Sequence, residues 1–302
     1  MSQPRPIYPG TTYLITRRIE RRHCLLRPDP MMNAIILYTL IVAARRYGIL
    51  IHAFGAMPTH VHYVVTDPQA QLPSFLAMFH RIVALGVKMI RKRDGAVWDR
   101  SQTSIVELCT REAMVEKIAY TLANPVKAGL VRYADEWPGV KTSARDIGLK
   151  TLQAKRPRHL FSTNNSEWTL DAAIALSLPP TIAATDAQAF RDDIQSELMK
   201  LEAAAHALIP KNKVLGVRRV LKMNPEQRMT NHLPVRQLNP TFAVGRENCA
   251  ALIRATRAVR DFRQKYRRAL ELWRSGDRSV LFPAGTFAMR VFHRANIAPL
   301  HG

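Results

Sequence analysis

Residues 48–66, GILIHAFGAMPTHVHYVVT, decide the fold. Two apolar runs, 48–57 and 60–66, flank the break at Pro58. Each is the length of a strand and too short for an ordinary helix, and both carry β-branched or aromatic residues. Runs this close in sequence read as antiparallel neighbours. The second opens with His60, Val61 and His62. Residues i and i+2 of a strand share a face, about 6–7 Å apart, so the two imidazoles aim together while Val61 faces a core. Their ring nitrogens can converge on one ion. An incidental pair of polar residues at a strand edge fits the same spacing.

Working outward, TTYLITRRI at 11–19 reads as a strand, and the PDP break at 28–30 precedes a helix over 31–47 that Gly48 closes. A helix over 73–93 places Phe75, Leu76, Phe79, Ile82, Val83, Val87 and Ile90 on one broad apolar face. A loop at 93–101 leads to a strand at 103–109. Thr110 can cap a helix from 111 to about 123, which Asn124-Pro125 ends. The order β-α-β-β-α-β is the split βαβ, ferredoxin-like pattern, an α+β fold with an antiparallel sheet and two helices on one face. This unit spans 10–145. Residues 146–180 read as a linker. Residues 181–302 read as a basic, mostly helical accessory region, with helices at 186–208 and 247–274 and a basic segment at 211–222. No internal repeat is visible.

The chain of 302 residues carries 45 Lys and Arg against 23 Asp and Glu, a formal charge of +22. Such an excess points to a polyanionic partner, nucleic acid before an anionic membrane surface. Cys24, Cys109 and Cys249 are far apart and lack CxxC spacing, which argues against a disulfide framework or a zinc ribbon and fits a reducing cytosol. The most apolar stretch, MMNAIILYTLIVAA at 31–44, is too short to span a bilayer and is closed by Arg45 and Arg46. The expectation is a soluble bacterial protein of the cytoplasm, associated with the nucleoid, with no membrane partner.

The helix at 111–123 adds chemistry to the histidines. Val115, Ile118 and Leu122 form its apolar stripe, and Tyr120 and Asn124, four apart, project together from nearly the opposite side. Tyr120 is then either an ordinary surface tyrosine or a nucleophile with an amide one turn away. A tyrosine phenol titrates near 10 and attacks phosphorus poorly unaided. A divalent cation on two neutral histidines and an amide oxygen would polarise and orient a phosphate while leaving positions open for its oxygens.

The segment MPTHVHYVV at 57–65 followed by AYTLANPVKAGLV at 119–131 resembles the REP-associated tyrosine transposases, within the wider His-hydrophobic-His (HUH) single-strand transposases of the insertion-sequence-200-like type. LITRRIERRHCLLRPD at 14–29, VWDRS at 97–101 and EWPGVKTS at 136–143 add to the resemblance, which covers about 10–145. It implies that the βαββαβ unit is the palm of that family. His60 and His62 would bind Mg²⁺ or Mn²⁺ with help from Asn124. Tyr120 would be the nucleophile, forming a 5′-phosphotyrosine with single-stranded DNA and releasing a 3′-hydroxyl. Two departures stand out: Asp99 follows Trp98 where the family often has glutamine, and Arg17-Arg18-Ile19 replaces a common Gly-Asn. The family's usual chain is shorter, so 150–302 is not explained by it.

Basic residues expected to contact DNA are Arg17, Arg18, Arg21, Arg22, Arg91, Lys92, Arg93, Arg100 and Lys127. Trp98 and Phe161 are candidates for base stacking or for packing. The leading expectation is a transposase or single-strand endonuclease that cuts and rejoins DNA near hairpin elements, acting as a monomer or homodimer. The alternatives are a catalytically silent nucleic-acid-binding regulator and, last, a zinc hydrolase, for which a third ligand is missing.

Overall fold

A computed structural model of the chain describes residues 4–101, 103–229, 240–246 and 248–299. Residues 230–239, 247 and 300–302 of the expected accessory region lie outside the described residues. The first half holds β1 (Thr11–Arg18), α1 (Pro30–Tyr47), β2 (Leu50–Met57), β3 (His60–Asp67), α2 (Leu72–Arg91), β4 (Ser104–Leu108) and α3 (Arg111–Lys127). The sheet order β2-β3-β1-β4 with every pair antiparallel is the ferredoxin-like arrangement expected from the sequence. Pro58 and Thr59 close the β2–β3 hairpin, with Met57 opposite His60.

Local chemistry fixes the helix ends. Asp29 caps α1 by accepting from the Met32 amide, Pro30 fills its first turn, and Gly48 ends it at φ +64°. The Asp67 carboxylate accepts from the amides of Gln69, Gln71 and Leu72, tying the end of β3 to the start of α2. Thr110 caps α3 by accepting from the Ala113 amide.

Alternation along the strands builds two different faces. Ile15, Phe54, Val61 and Tyr63 face α1 and α2, and the rings of Phe54, Tyr63, Phe75 and Phe79 pack edge to face at 5.2–6.2 Å. Full burial of such side chains stabilises by roughly 1.5–3 kcal/mol each. By length and composition α2 passes for a membrane-crossing helix. Its apolar face, including Leu72, Phe75, Phe79 and Val83, is buried within the protein, as in a core helix.

α3 packs across the opposite face, against β2 and β3, and α4 (Ala187–Leu208) packs on α3. The sequence reading ended α3 at Asn124-Pro125; instead the helix runs through Pro125 to Lys127. Proline removes one intrahelical donor, so the Thr121 carbonyl loses its partner four residues on. That carbonyl lies where α3 crosses Gly55, and a Cβ on Gly55 would sit 3.3 Å from its oxygen. The glycine thus admits the helix backbone close to the sheet.

The second half also departs from expectation. The stretch expected as a linker carries a hairpin, β5 (Thr151–Lys155) paired with β6 (Asp171–Ala175), packed on α1. TLQAK and DAAIA are only five residues each, and Leu152, Ala154, Ala172 and Ile174 give them one modest apolar face. Phe242–Ala243 forms β7, which adds to β4 in parallel and makes the sheet five-stranded. The basic 211–222 segment contains the short α5 (Val217–Leu221). α6 (Cys249–Arg274) and α7 (Ala288–His293) share a small core of their own around Ala269, Phe282 and Met289.

Candidate active site

Register decides which side chains meet. His62 lies opposite Thr16 on β1 and Gly55 on β2, and His60 lies opposite Arg18 and Met57. Partners in an antiparallel pair share a face, so both histidines, Thr16 and Arg18 look toward α3. The two imidazoles sit 4.7 Å apart, centroid to centroid, nearly perpendicular. The Tyr120 ring lies 5.4 Å from His62. Asn124 Nδ2 is 2.8 Å from His62 Nε2. The structure therefore brings His60, His62, Tyr120 and Asn124 together within one chain.

The hydrogen bonds assign the tautomer of His62. With the Asn124 amide donating to Nε2, Nδ1–H donates to Thr16 Oγ1 at 2.8 Å. His60 Nδ1 is held in the same way beside Thr59 Oγ1, at 2.9 Å. Both threonines thus occupy Nδ1 and turn Nε2 toward the site, where Asn124 meets that of His62, the outer-shell arrangement that orients metal-binding histidines. Burial, with Arg18 and Arg22 adding to it, pushes His60 down to about 4. Burial, then His60, Arg18 and Lys127, holds His62 well below its ordinary value. Both rings are therefore neutral at pH 7 with lone pairs available. A divalent cation fits this donor set: two neutral imidazoles, plus an amide that a flip of its terminal torsion turns oxygen-first. Among the described residues no cluster of three His, Cys, Asp or Glu side chains offers a competing metal site.

Asn124 is buried at 8% exposure rather than projecting to solvent. The reason is the layering: α3 is covered by the sheet on one side and α4 on the other, so a residue off the Val115–Ile118–Leu122 stripe still meets protein. Tyr120 remains half-buried at the edge of that layer. Lys127, two turns on, places Nζ 4.6 Å from the centroid of the Tyr120 ring.

The basic residues divide. Arg18, Arg22 and Lys127 act electrostatically on the histidines. Arg17 points to the other face of the sheet, where it donates to the Ser101 carbonyl at 2.5 Å. Arg91 is held by Asp29 at 2.7 Å and by the carbonyls of Leu25 and Arg27, and Arg93 pairs with Glu20 and Glu226. Arg21, Lys92 and Arg100 are exposed. Trp98 and Phe161 are packing residues: Trp98 donates to the His80 carbonyl, and Phe161 is buried between Tyr38 and Trp168. Sequence reasoning missed Thr16 and Thr59 as orienting groups. Thr59 adjoins the motif, but Thr16 is visible only once the β1–β3 register is known.

No protein-family model matches the chain, and no curated protein matches it. Among solved structures the chain is similar to a REP-associated tyrosine transposase bound to a REP hairpin, at 20% identity, over 48% of this chain and 84% of that one, with a TM-score of 0.41. It is also similar to a crystal structure from Deinococcus radiodurans R1 assigned as a transposase, at 20% identity, over 35% of this chain and 85% of that one, with a TM-score of 0.28.

Proposed function

We propose that the protein is a metal-dependent transposase of the HUH tyrosine type that cleaves and rejoins single-stranded DNA near hairpin elements. The observation that carries this reading is the convergence of two neutral, oriented histidines, Asn124 and Tyr120 on one face of the sheet. His60, His62 and Asn124 would hold Mg²⁺ or Mn²⁺. When bound, the cation supplies polarisation of the scissile phosphate and charge neutralisation at the leaving oxygen. Tyr120 Oη attacks phosphorus, its proton leaving to solvent. The Tyr–O–P bond forms, the bond from phosphorus to the 3′ oxygen breaks, and that oxygen takes a proton to become a 3′-hydroxyl. Attack by a 3′-hydroxyl on the 5′-phosphotyrosine reverses these bonds and rejoins DNA. Lys127, over the ring of Tyr120, favours the negative charge that gathers on the phenol oxygen and the phosphate. Arg18 and Arg22 add positive potential beside the histidines.

Because His62 and Tyr120 of the same chain are in contact, one chain carries a complete set of reacting groups. This favours action as a monomer at the nucleoid. The +22 charge supports a DNA partner with strongly salt-dependent affinity.

The test is incubation of the full chain with a single-stranded hairpin oligonucleotide and Mn²⁺, followed by denaturing electrophoresis. A covalent protein–DNA adduct is expected, lost on chelation and absent in Tyr120→Phe. An adduct that survives Tyr120→Phe places the nucleophile elsewhere. Tight binding with no adduct for any metal or hairpin makes the protein a silent regulator instead.

A further inference from the structure

A cleft of about 1650 Å³ runs between α2 and the α6–α7 unit. It lies on the side of the sheet away from Tyr120. Ile105 of β4 lines it and pairs with Ile15, which pairs in turn with Tyr63, so all three face α1 and α2. His62 and Thr16 face the other way. The cleft is therefore not part of the candidate active site.

Its lining combines two chemistries. Arg81 comes from α2, and Arg263, Arg267 and Arg274 come from α6 at spacings of four and seven, a single stripe of that helix. Arg81, Arg267 and Arg274 are exposed and make no ion pair with any described residue. The cleft has one carboxylate in its lining, Glu167, already paired with Arg46. Between the cations stand aromatic rings: Tyr266 on α6, Phe287 at the start of α7, and Phe292, which is 73% exposed. A phenylalanine left this open beside unpaired arginines is an unfilled contact surface rather than part of a core.

Cations that can follow a phosphate chain, beside the open ring of Phe292 and the half-buried rings of Tyr266 and Phe287, form a stacking platform for unpaired bases. A concave cleft does not fit a flat bilayer. In a duplex the base faces are stacked away and the rings would have nothing to receive. We propose that this cleft is a second nucleic-acid site that takes a single strand, on the opposite side of the sheet from Tyr120. The proposal stands on the cleft alone and does not need the Tyr120 chemistry.

The test uses the full chain and a fluorescein-labelled oligothymidylate, with affinity read by anisotropy across a salt series. Arg81→Glu/Arg267→Glu/Arg274→Glu is expected to weaken binding at least tenfold. It should also reduce the slope of log affinity against log salt by about 2, as loss of three contacts to a single strand requires. Bromodeoxyuridine cross-linking of the unaltered chain should label the Tyr266–Phe292 surface, which keeps the proposal testable if the triple variant fails to fold. Unchanged affinity and slope in a folded triple variant would overturn it, as would cross-links confined to the α3 side. So would a blunt duplex or an oligoglutamate that occupies the cleft more tightly than the single strand. Loss of binding in the triple variant, with no covalent adduct ever formed by the unaltered protein, would leave the cleft standing and remove the catalytic reading.

Discussion

The two faces of β3 make opposite use of one strand. Toward α1 and α2 it presents Val61, Tyr63 and Val65, all fully buried. Toward α3 it presents His60, His62, Val64 and Thr66, and here polar atoms are paired one by one. Thr16 meets His62, which meets Asn124; Thr12 meets Thr66, which meets His52. A period of two lets eight residues do both tasks, because apolar burial and polar chemistry mostly take opposite sides of the backbone. The helices follow the division. α2 closes its face with phenylalanines, whereas α3 approaches at Gly55 and leaves Tyr120 at an open edge.

Paired substitutions are the most direct way to break this comparison. His62→Ala removes a proposed metal donor from one face and should reduce adduct formation by about 10³-fold or more, while the protein still melts cooperatively. Phe79→Ala on the other face should cost about 3–5 kcal/mol of stability. It should leave adduct yield per folded molecule unchanged. Chemical denaturation alongside the adduct assay reads both. If His62→Ala unfolds the chain, or Phe79→Ala abolishes the adduct in folded protein, the division of labour is wrong.

Most of this division was legible in the sequence. HVHYVV announces both faces of β3, and the spacing of Phe75, Phe79 and Val83 announces the helix that covers one of them. What stayed hidden depends on pairing between distant segments. Thr16 joins the site because β1 lies beside β3 in one register, and Asn124 is buried because α4, more than sixty residues on, packs over α3. Pro125 reads as a helix end by local rules; the packing of α3 between sheet and α4 overrides that preference. The β5–β6 hairpin carries a weak signal because each strand is five residues long, and its apolar face, Leu152 and Ala154 opposite Ile174 and Ala172, is small and relies on α1 for cover.

The polar face should also show itself in acid. His52 is fully buried, donating from Nδ1 to the Ser177 carbonyl and accepting from Thr66 at Nε2. Burial pushes it down to about 4. In the unfolded chain it titrates near 6.5. Above pH 6.5 both states are neutral and the folded state has its full stability. Between 6.5 and 4 the unfolded state takes up a proton that the fold refuses, so stability falls with pH. The loss is about 2 kcal/mol by pH 5 and levels off below the folded value. Urea titrations at pH 7 and pH 5, for the unaltered chain and for His52→Gln, isolate this share. Equal losses in both would place the acid sensitivity elsewhere.

The smallest expected effect sharpens the comparison from the apolar side. Tyr63 carries the one polar atom that β3 sends into the aromatic cluster, and its hydroxyl is buried without a hydrogen-bond partner among the described residues. A buried hydroxyl gives up its water and here regains nothing, so its removal relieves a desolvation cost. Burial raises its phenol well above the ordinary range, which leaves it protonated and a donor with nowhere to donate. Tyr63→Phe keeps the ring and its contacts with Phe54, Phe75 and Phe79. It should therefore leave stability unchanged or raise it by up to about 1 kcal/mol, with adduct formation untouched. A loss of more than that in urea melts would mean that the hydroxyl is paired after all, and that the α2 face of β3 carries polar work of its own.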